Sequence, residues 1–345
     1  NRRRGRAFMQ VWEVHPRQGA EALQLTERPI PSLLPGQVLL KMKAASLNYR
    51  DLLTVRGAHT SPDKPPFIPL SDGVGEVVAV GEGVTRVNIG DRVAGIFMQA
   101  WISGGFSAEK SKSALGGAIA GILSEYAVLH EAGVVHLPAH LSDVEAASLP
   151  CAAVTAWHAL MADGTLKPGD TILIQGSGGV SLFALQFANI VGAKVIATSS
   201  RDQKLERLMQ LGAACGVNYQ TDPAWEKTVF KLTNKGGVDR VIEVAGANTL
   251  NQSLRAVRYG GHISLIGVLS GFSAEISTVT ILHKGIRLQG IYVGSRDMFE
   301  QMNRAIALHQ IKPIIDRVFP FADIHQALDY MESGSHFGKI AIQFP

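Results

Sequence analysis

The stretch that most limits what this chain can fold into is Gln175-Gly176-Ser177-Gly178-Gly179-Val180-Ser181, set between an apolar run at 171–175 and an amphipathic run at 180–191. A strand that passes through glycines directly into a helix opens a strand–helix–strand unit. The chain then repeats the alternation, with strands at 194–198, 240–244 and 262–267 and a helix at 203–211. This predicts an α/β region with a doubly wound parallel sheet and crossover helices. Glycines leave backbone N–H groups open to a diphosphate, and the helix N-terminus behind them faces it with partial positive charge. Gly176, Ser177, Gly178, Gly179 and Val180 are therefore candidates for holding a dinucleotide. Ser181 takes the third glycine position of the fingerprint, where Gly or Ala is usual. A bare glycine turn is the competing reading, and the strand before it and the helix after it argue against that.

Cofactor choice is read at the end of the second strand, where an NAD site places a carboxylate for the ribose 2′-hydroxyl. Here the chain has Thr198-Ser199-Ser200-Arg201 and then Lys204, with no acid before Asp202. Hydroxyls and cations suit a 2′-phosphate, so Ser199, Ser200, Arg201 and Lys204 predict NADP(H). The alternative is a solvated helix start with Ser as its cap.

At 345 residues the chain is long enough for two domains with cores of their own. Residues 9–150 read as short strands at 9–14, 38–45, 73–80, 92–97 and 124–128, bounded by Gly, Pro, Asp and Asn, which predicts an irregular β domain. Helices are expected from Asp143 and over 153–161, and later at 298–309 and 324–333. A short strand is expected around Val318 and a last one at 339–344. That closing segment is too short to stand alone and is expected to return to the first domain. The formal charge of +4 is carried by Arg2, Arg3, Arg4 and Arg6. Residues 1–8 read as an extension outside the fold, too bare of aromatic or helical context to serve as a nucleic-acid arm. No uncharged apolar stretch approaches the roughly 20 residues of a membrane span. With no export signal in view, a cytoplasmic location is expected, with Cys151 and Cys215 as free thiols.

Taken with these features, the stretches Leu47-Asn48-Tyr49-Arg50-Asp51, Pro69-Leu70-Ser71-Asp72-Gly73-Val74-Gly75-Glu76-Val77, Gly90-Asp91-Arg92-Val93, Leu149-Pro150-Cys151-Ala152-Ala153-Val154-Thr155-Ala156 and Gly338-Lys339 resemble the medium-chain dehydrogenase/reductase superfamily from Met9 onward. The resemblance implies a GroES-like catalytic domain (9–152 and 293–345) and a Rossmann domain (153–292). It also implies NAD(P)-dependent hydride transfer to a small-molecule substrate, and a homodimer or tetramer. By the same resemblance Thr155 lies against the nicotinamide, and Val244, Ala245 and Gly246 line the adenosine side. Gly267, Val268 and Val293 lie near the carboxamide, and Lys339 reaches the cofactor phosphates.

Zinc alcohol dehydrogenases of that superfamily hold their metal with a Cys, a His followed by Glu, and a second Cys. The matching positions here are Asn48, Ser71 followed by Asp72, and Cys151, so one thiol survives where three protein ligands are needed. The four cysteines of the structural-zinc lobe have no counterpart between Phe97 and Glu125. No zinc is expected, which moves the chain toward the quinone oxidoreductase and enoyl reductase branches. Without a Lewis acid, a quinone or an alkene conjugated to a carbonyl is the better hydride acceptor. Asn48 and Tyr49 are the candidates for stabilising its developing oxygen, Tyr49 also as proton source. A role confined to the loop and the nicotinamide ribose stays open for both. Leu53 stands where quinone reductases often carry Tyr. Asp51 is expected to accept backbone hydrogen bonds, His136 and His140 to be ordinary loop residues, and residues 104–121 to form a surface excursion or a wall of the substrate cleft. An alcohol or aldehyde dehydrogenase, and a nucleotide-binding protein with little turnover, are the alternatives.

Overall fold

The computed structural model describes residues 7–57, 60–163 and 166–345, so Arg2, Arg3, Arg4 and Arg6 lie outside the described residues. The chain divides into one unit of Asn1–Val154 with Gly294–Pro345 and a second of Thr155–Val293.

The first unit is built on a seven-stranded sheet ordered Ile315–Pro320, Lys339–Gln343, Gln37–Ser46, Asp72–Val80, Arg92–Gly95 and Val134–His136, with Tyr126–His130 also paired to Gln37–Ser46. A separate antiparallel hairpin joins Phe8–Val14 to Leu23–Pro29. Strand Gln37–Ser46 alternates, burying Val38, Leu40, Met42 and Ala44, as one packed sheet face requires. Lys339–Gln343 runs parallel to Ile315–Pro320 and antiparallel to Gln37–Ser46, so the end of the chain is a central strand of this sheet. Its run Ile340-Ala341-Ile342 is buried on both faces.

The second unit carries a six-stranded parallel sheet ordered Cys215–Asn218, Lys194–Ser199, Thr171–Gln175, Val238–Glu243, Val257–Leu265 and Arg287–Gly290. Ile172, Leu173 and Ile174 are all fully buried, the continuous apolar run of a strand covered on both sides. The fold is thus α/β, a GroES-like β-rich unit and a doubly wound Rossmann unit.

The structure departs from the sequence reading in places. The strand expected at 124–128 lies at Tyr126–His130, and that expected at 92–97 ends at Gly95. The helix expected at 153–161 runs from Leu149 to Ala162, with wide π-type turns on either side of Val154–Trp157. Pro150 sits in its first turn, where the missing N–H has no helical partner to lose.

Candidate active site

In the second unit the sheet order reverses between Thr171–Gln175 and Val238–Glu243, the position at which open parallel sheets leave a crevice beyond their C-terminal strand ends. Gly176 follows the first of these strands with φ of 69°, a left-handed conformation that favours glycine. Gly178 caps the helix Gly179–Val191 in extended backbone, φ −75°. A Cβ on Gly178 would meet nothing within 4 Å, so packing within the chain does not demand this glycine. Open space in front of a helix N-terminus is what it provides. Ser181 is fully buried and its Oγ donates to Gln175 O at 2.7 Å, which satisfies the hydroxyl and explains why Ser is accepted at the third glycine position.

The other nucleotide candidates follow the C-terminal ends of neighbouring strands. Ser199 closes Lys194–Ser199, and its Oγ accepts from Arg201 N at 3.3 Å. Ser200 is half-buried, Arg201 caps the helix Asp202–Gln210 with its side chain exposed, and Lys204 lies in that helix's first turn. The Arg201 guanidinium makes no hydrogen bond or ion pair among the described residues. The nearest acid, Asp202, accepts from Asn218 Nδ2 at 2.8 Å. Val244, Ala245 and Gly246 follow Val238–Glu243, and Gly267 and Val268 follow Val257–Leu265. A Cβ on Gly267 would fall 2.0 Å from Val244 O, so these two loops meet backbone to backbone. Thr155 is buried in its helix. Val293 has φ of 56°, unusual for a β-branched residue, and its carbonyl meets His158 Nδ1 at 2.7 Å.

Sequence reasoning misses what fixes these loops. Glu243 is fully buried and accepts four hydrogen bonds, from Gly246 N at 2.9 Å, Thr249 Oγ1 at 2.6 Å, Gln175 Nε2 at 2.8 Å and Ser253 Oγ at 2.5 Å. Gln175 Oε1 in turn accepts from Val244 N at 3.1 Å and Ala245 N at 3.3 Å. The side chain preceding the glycine turn therefore holds the facing loop. No local pattern signals this pairing, because Gln175 and Glu243 are 68 residues apart.

In the first unit Asn48 caps the short helix Tyr49–Val55, and its backbone N–H donates to Asp51 Oδ2 at 2.8 Å. Burial outweighs the neighbouring Arg50 and pushes the Asp51 carboxyl up to about 6. Lys339 Nζ is buried and donates to Leu47 O at 2.6 Å and Asn48 Oδ1 at 2.7 Å. This orients the Asn48 amide so that Nδ2 faces Ser71 Oγ at 3.5 Å, while Ser71 Oγ donates to Asp72 Oδ1 at 2.9 Å and Cys151 N donates to Asp72 Oδ2 at 3.1 Å. Asn48 and Lys339, 291 residues apart, are thus in direct contact, with the Lys339 ammonium turned into this cluster. The Tyr49 side chain is 36% exposed, and its hydroxyl makes no hydrogen bond among the described residues.

These positions do not fit zinc. Burial, and after it the Asp72 carboxylate, pushes the Cys151 thiol up to about 12, and Cys151 is the one thiol where a zinc site needs three protein ligands. Asn48 Oδ1 is taken by an ammonium whose charge repels a divalent cation. Nor do three or more His, Cys, Asp or Glu gather as metal ligands elsewhere among the described residues.

Residues 104–121 are a surface excursion only in part. Phe106 is exposed and Lys110 holds the turn at Ser103 O, but Ala114 and Leu115 are buried and Gly116 and Gly121 press against the Leu70 backbone. Arg50 ties this return to the Tyr49 helix, donating to Leu115 O at 2.5 Å with its guanidinium 4.5 Å from the Phe97 ring centroid. His136 pairs with Asp91 at 3.0 Å, and His140 contacts Ile311 O at 2.8 Å.

Comparison with known proteins agrees with this fold. Residues 34–139 match the alcohol dehydrogenase GroES-like domain, and residues 179–308 the zinc-binding dehydrogenase family. The chain belongs to the medium-chain dehydrogenase/reductase superfamily and is an oxidoreductase. A zinc-type alcohol dehydrogenase-like protein of Schizosaccharomyces pombe is 42% identical, over 94% of this chain and 96% of its own length. A quinone oxidoreductase-like protein 2 of Bos taurus is 28% identical, over 92% and 87%. A solved structure designated an alcohol dehydrogenase, from Sinorhizobium meliloti, is 41% identical with a TM-score of 0.91, covering 98% of this chain and 99% of that one.

Proposed function

We propose that the protein is a zinc-independent, NADPH-dependent oxidoreductase that reduces a quinone, an enone or another activated carbonyl compound. The observation that carries this reading is that Asn48, Ser71 and Asp72, at positions matching the zinc ligands of metal-dependent relatives, form a hydrogen-bonded cluster capped by the Lys339 ammonium. NADPH, when bound, supplies hydride to the acceptor. The amides of Gly176, Ser177, Gly178, Gly179 and Val180 receive its diphosphate, and Ser199, Ser200, Arg201 and Lys204 receive the 2′-phosphate. Thr155, Val244, Ala245, Gly246, Gly267, Val268 and Val293 line its nucleoside and nicotinamide. Tyr49 donates its unengaged hydroxyl to the oxygen that gains charge. Asn48, held by Lys339, keeps Tyr49 at the start of its helix and leaves an amide hydrogen for the ribose.

The relatives lend support from both sides. A 2-octenoyl-CoA carboxylase reductase, solved in complex with NADP and 2-octenoyl-CoA, is 25% identical with a TM-score of 0.84. A solved NAD-dependent alcohol dehydrogenase is 31% identical with a TM-score of 0.88. Ancestry therefore does not choose the coenzyme, and the choice rests on Arg201, unpaired among the described residues, and on Asp202 being tied to Asn218. The second reading, an alcohol dehydrogenase, is favoured by the zinc-binding family match and by relatives such as the Moraxella enzyme, 31% identical.

Metal analysis of protein purified without chelator should find far less than one zinc per chain, and a stoichiometric, tightly held zinc would reverse the reading. NADPH should bind at least about tenfold more tightly than NADH, and Arg201→Ala should remove about that factor by taking away one charge-assisted contact. Tighter NADH binding by the unaltered protein would end the claim. NADPH oxidation across a panel of quinones, enones and aldehydes then separates a reductase from a protein that only binds the nucleotide.

No described helix is long and apolar enough to cross a membrane, and a cytoplasmic location remains part of the proposal. So does a homodimer. The edge strand Arg287–Gly290 has one free side in the sheet, and nearby Leu282 and Val279 are 81% and 68% exposed, an apolar face of the kind that marks interfaces. Light scattering should give twice the chain mass, and Leu282→Glu should shift it toward monomer.

A further inference from the structure

The parallel sheet of the second unit has a polar cavity of about 240 Å³ at its other edge, beneath the strand N-termini, lined by Asp163, Lys167, Asp239, Arg240, His262 and Arg287 among others. Each of its carboxylates has at least one partner. Asp163 pairs with Arg287 at 2.7 Å, Asp239 pairs with Arg258 at 2.7 Å, and Asp170 accepts from Lys167 N at 2.9 Å. Arg240 is only 7% exposed, yet it forms no ion pair within 4.0 Å among the described residues. Both hydrogens of its Nη1 are committed, to Ala159 O and to His262 Nδ1, each at 2.9 Å. Its Nε and Nη2 make no hydrogen bond among the described residues. Lys167 has no ion pair there either.

His262 supplies an independent sign. A guanidinium can only donate, so Nδ1 is the acceptor and the ring proton sits on Nε2. Burial, followed by Arg240 and Arg287 and opposed by Asp163, holds the imidazole down to about 4, so it is neutral at neutral pH. The Nε2–H is therefore a donor on a ring 7% exposed, and it has no hydrogen-bond partner. Asp163 Oδ2, 3.4 Å away, is likewise unpartnered. Asp163, Asp170 and Asp239 offset the Arg240 charge only from a distance, and a buried guanidinium with no direct ion pair beside an unused donor is a costly arrangement unless an anion completes it.

We infer that this cavity is a binding site for a small oxyanion of the phosphate class, held by the free edge of Arg240, His262 Nε2–H and Lys167, and distinct from the glycine turn at the opposite edge of the same sheet. The occupant bridges the turn at Lys167 and the strands Val238–Glu243 and Val257–Leu265, so its binding stabilises this unit.

The test is calorimetric titration of the full chain with inorganic phosphate at saturating NADP⁺, which keeps the glycine turn filled, against sodium chloride of equal ionic strength. Saturable binding of one phosphate per chain is expected, weakened about tenfold by Lys167→Met, the loss of one charged contact. Lys167 is exposed, so this variant should fold normally. In NMR spectra of the unaltered protein the His262 ring should titrate about one pH unit higher with phosphate present, since an anion favours its charged form. Heat no greater than the chloride control, or phosphate binding that Lys167→Met leaves unchanged while the His262 titration stays put, would overturn the site.

Discussion

Lys339→Met should lower the stability of the protein by about 3 kcal/mol in equilibrium urea unfolding at neutral pH. The methionine fills similar volume, so the loss comes from polar groups rather than from a cavity. Leu47 O and Asn48 Oδ1 both accept from the ammonium, and each is left buried without its donor, at roughly 1–3 kcal/mol apiece. Asp72 also loses the cation that most opposes its desolvation. Its carboxyl already stands above the usual range because of burial, and removing Lys339 raises it further. An acid whose folded pKa is raised binds its proton more readily folded than unfolded, so the strain is felt where Asp72 is ionised and fades as pH falls through that folded pKa. The gap between variant and parent should therefore narrow toward acid pH. A loss under about 1 kcal/mol, or a gap that widens on acidification, would mean the ammonium is not the keystone of the cluster.

That cluster also shows what a single sequence can and cannot display. The glycine turn, the alternation behind it and the apolar run at Ile172, Leu173 and Ile174 are local patterns, and local patterns report backbone state. The parallel sheet was legible for that reason, while the departures from zinc ligands at Asn48 and at Ser71 followed by Asp72 came through the family resemblance. What replaces the ligands was not legible. The resemblance assigns Lys339 to the cofactor phosphates and gives no sign that its ammonium donates to Asn48, 291 residues away. Glu243, inside the strand expected at 240–244, is fully buried and accepts four hydrogen bonds. Such pairings are fixed by tertiary closure, and neither partner carries a mark of it in its neighbours. The short strands Cys215–Asn218 and Arg287–Gly290 escaped for a related cause. At a sheet's edges, few positions are covered on both faces, so the apolar signal is diluted by Asn218, Arg287 and Gln289.

Gly178→Val should weaken NADPH binding about a hundredfold, roughly 2.7 kcal/mol, and leave the fold nearly untouched. The backbone at Gly178 is extended and a Cβ there meets nothing within 4 Å, so the only stability term is the poorer helix cap, below about 1 kcal/mol. The added methyls instead fill the space in front of the Gly179–Val191 helix, where backbone N–H groups have to reach a diphosphate. Gly267→Ala makes the informative contrast. Its Cβ falls 2.0 Å from Val244 O, and no side chain can move aside to relieve a backbone clash, so this variant should lose several kcal/mol of stability and bind poorly because the loop pair is displaced. Affinity lost with stability kept at Gly178, and both lost at Gly267, separates a glycine needed by a ligand from a glycine needed by the fold. Unchanged NADPH affinity in a folded Gly178→Val protein would remove the diphosphate from this turn, and with it the coenzyme assignment that Arg201 refines.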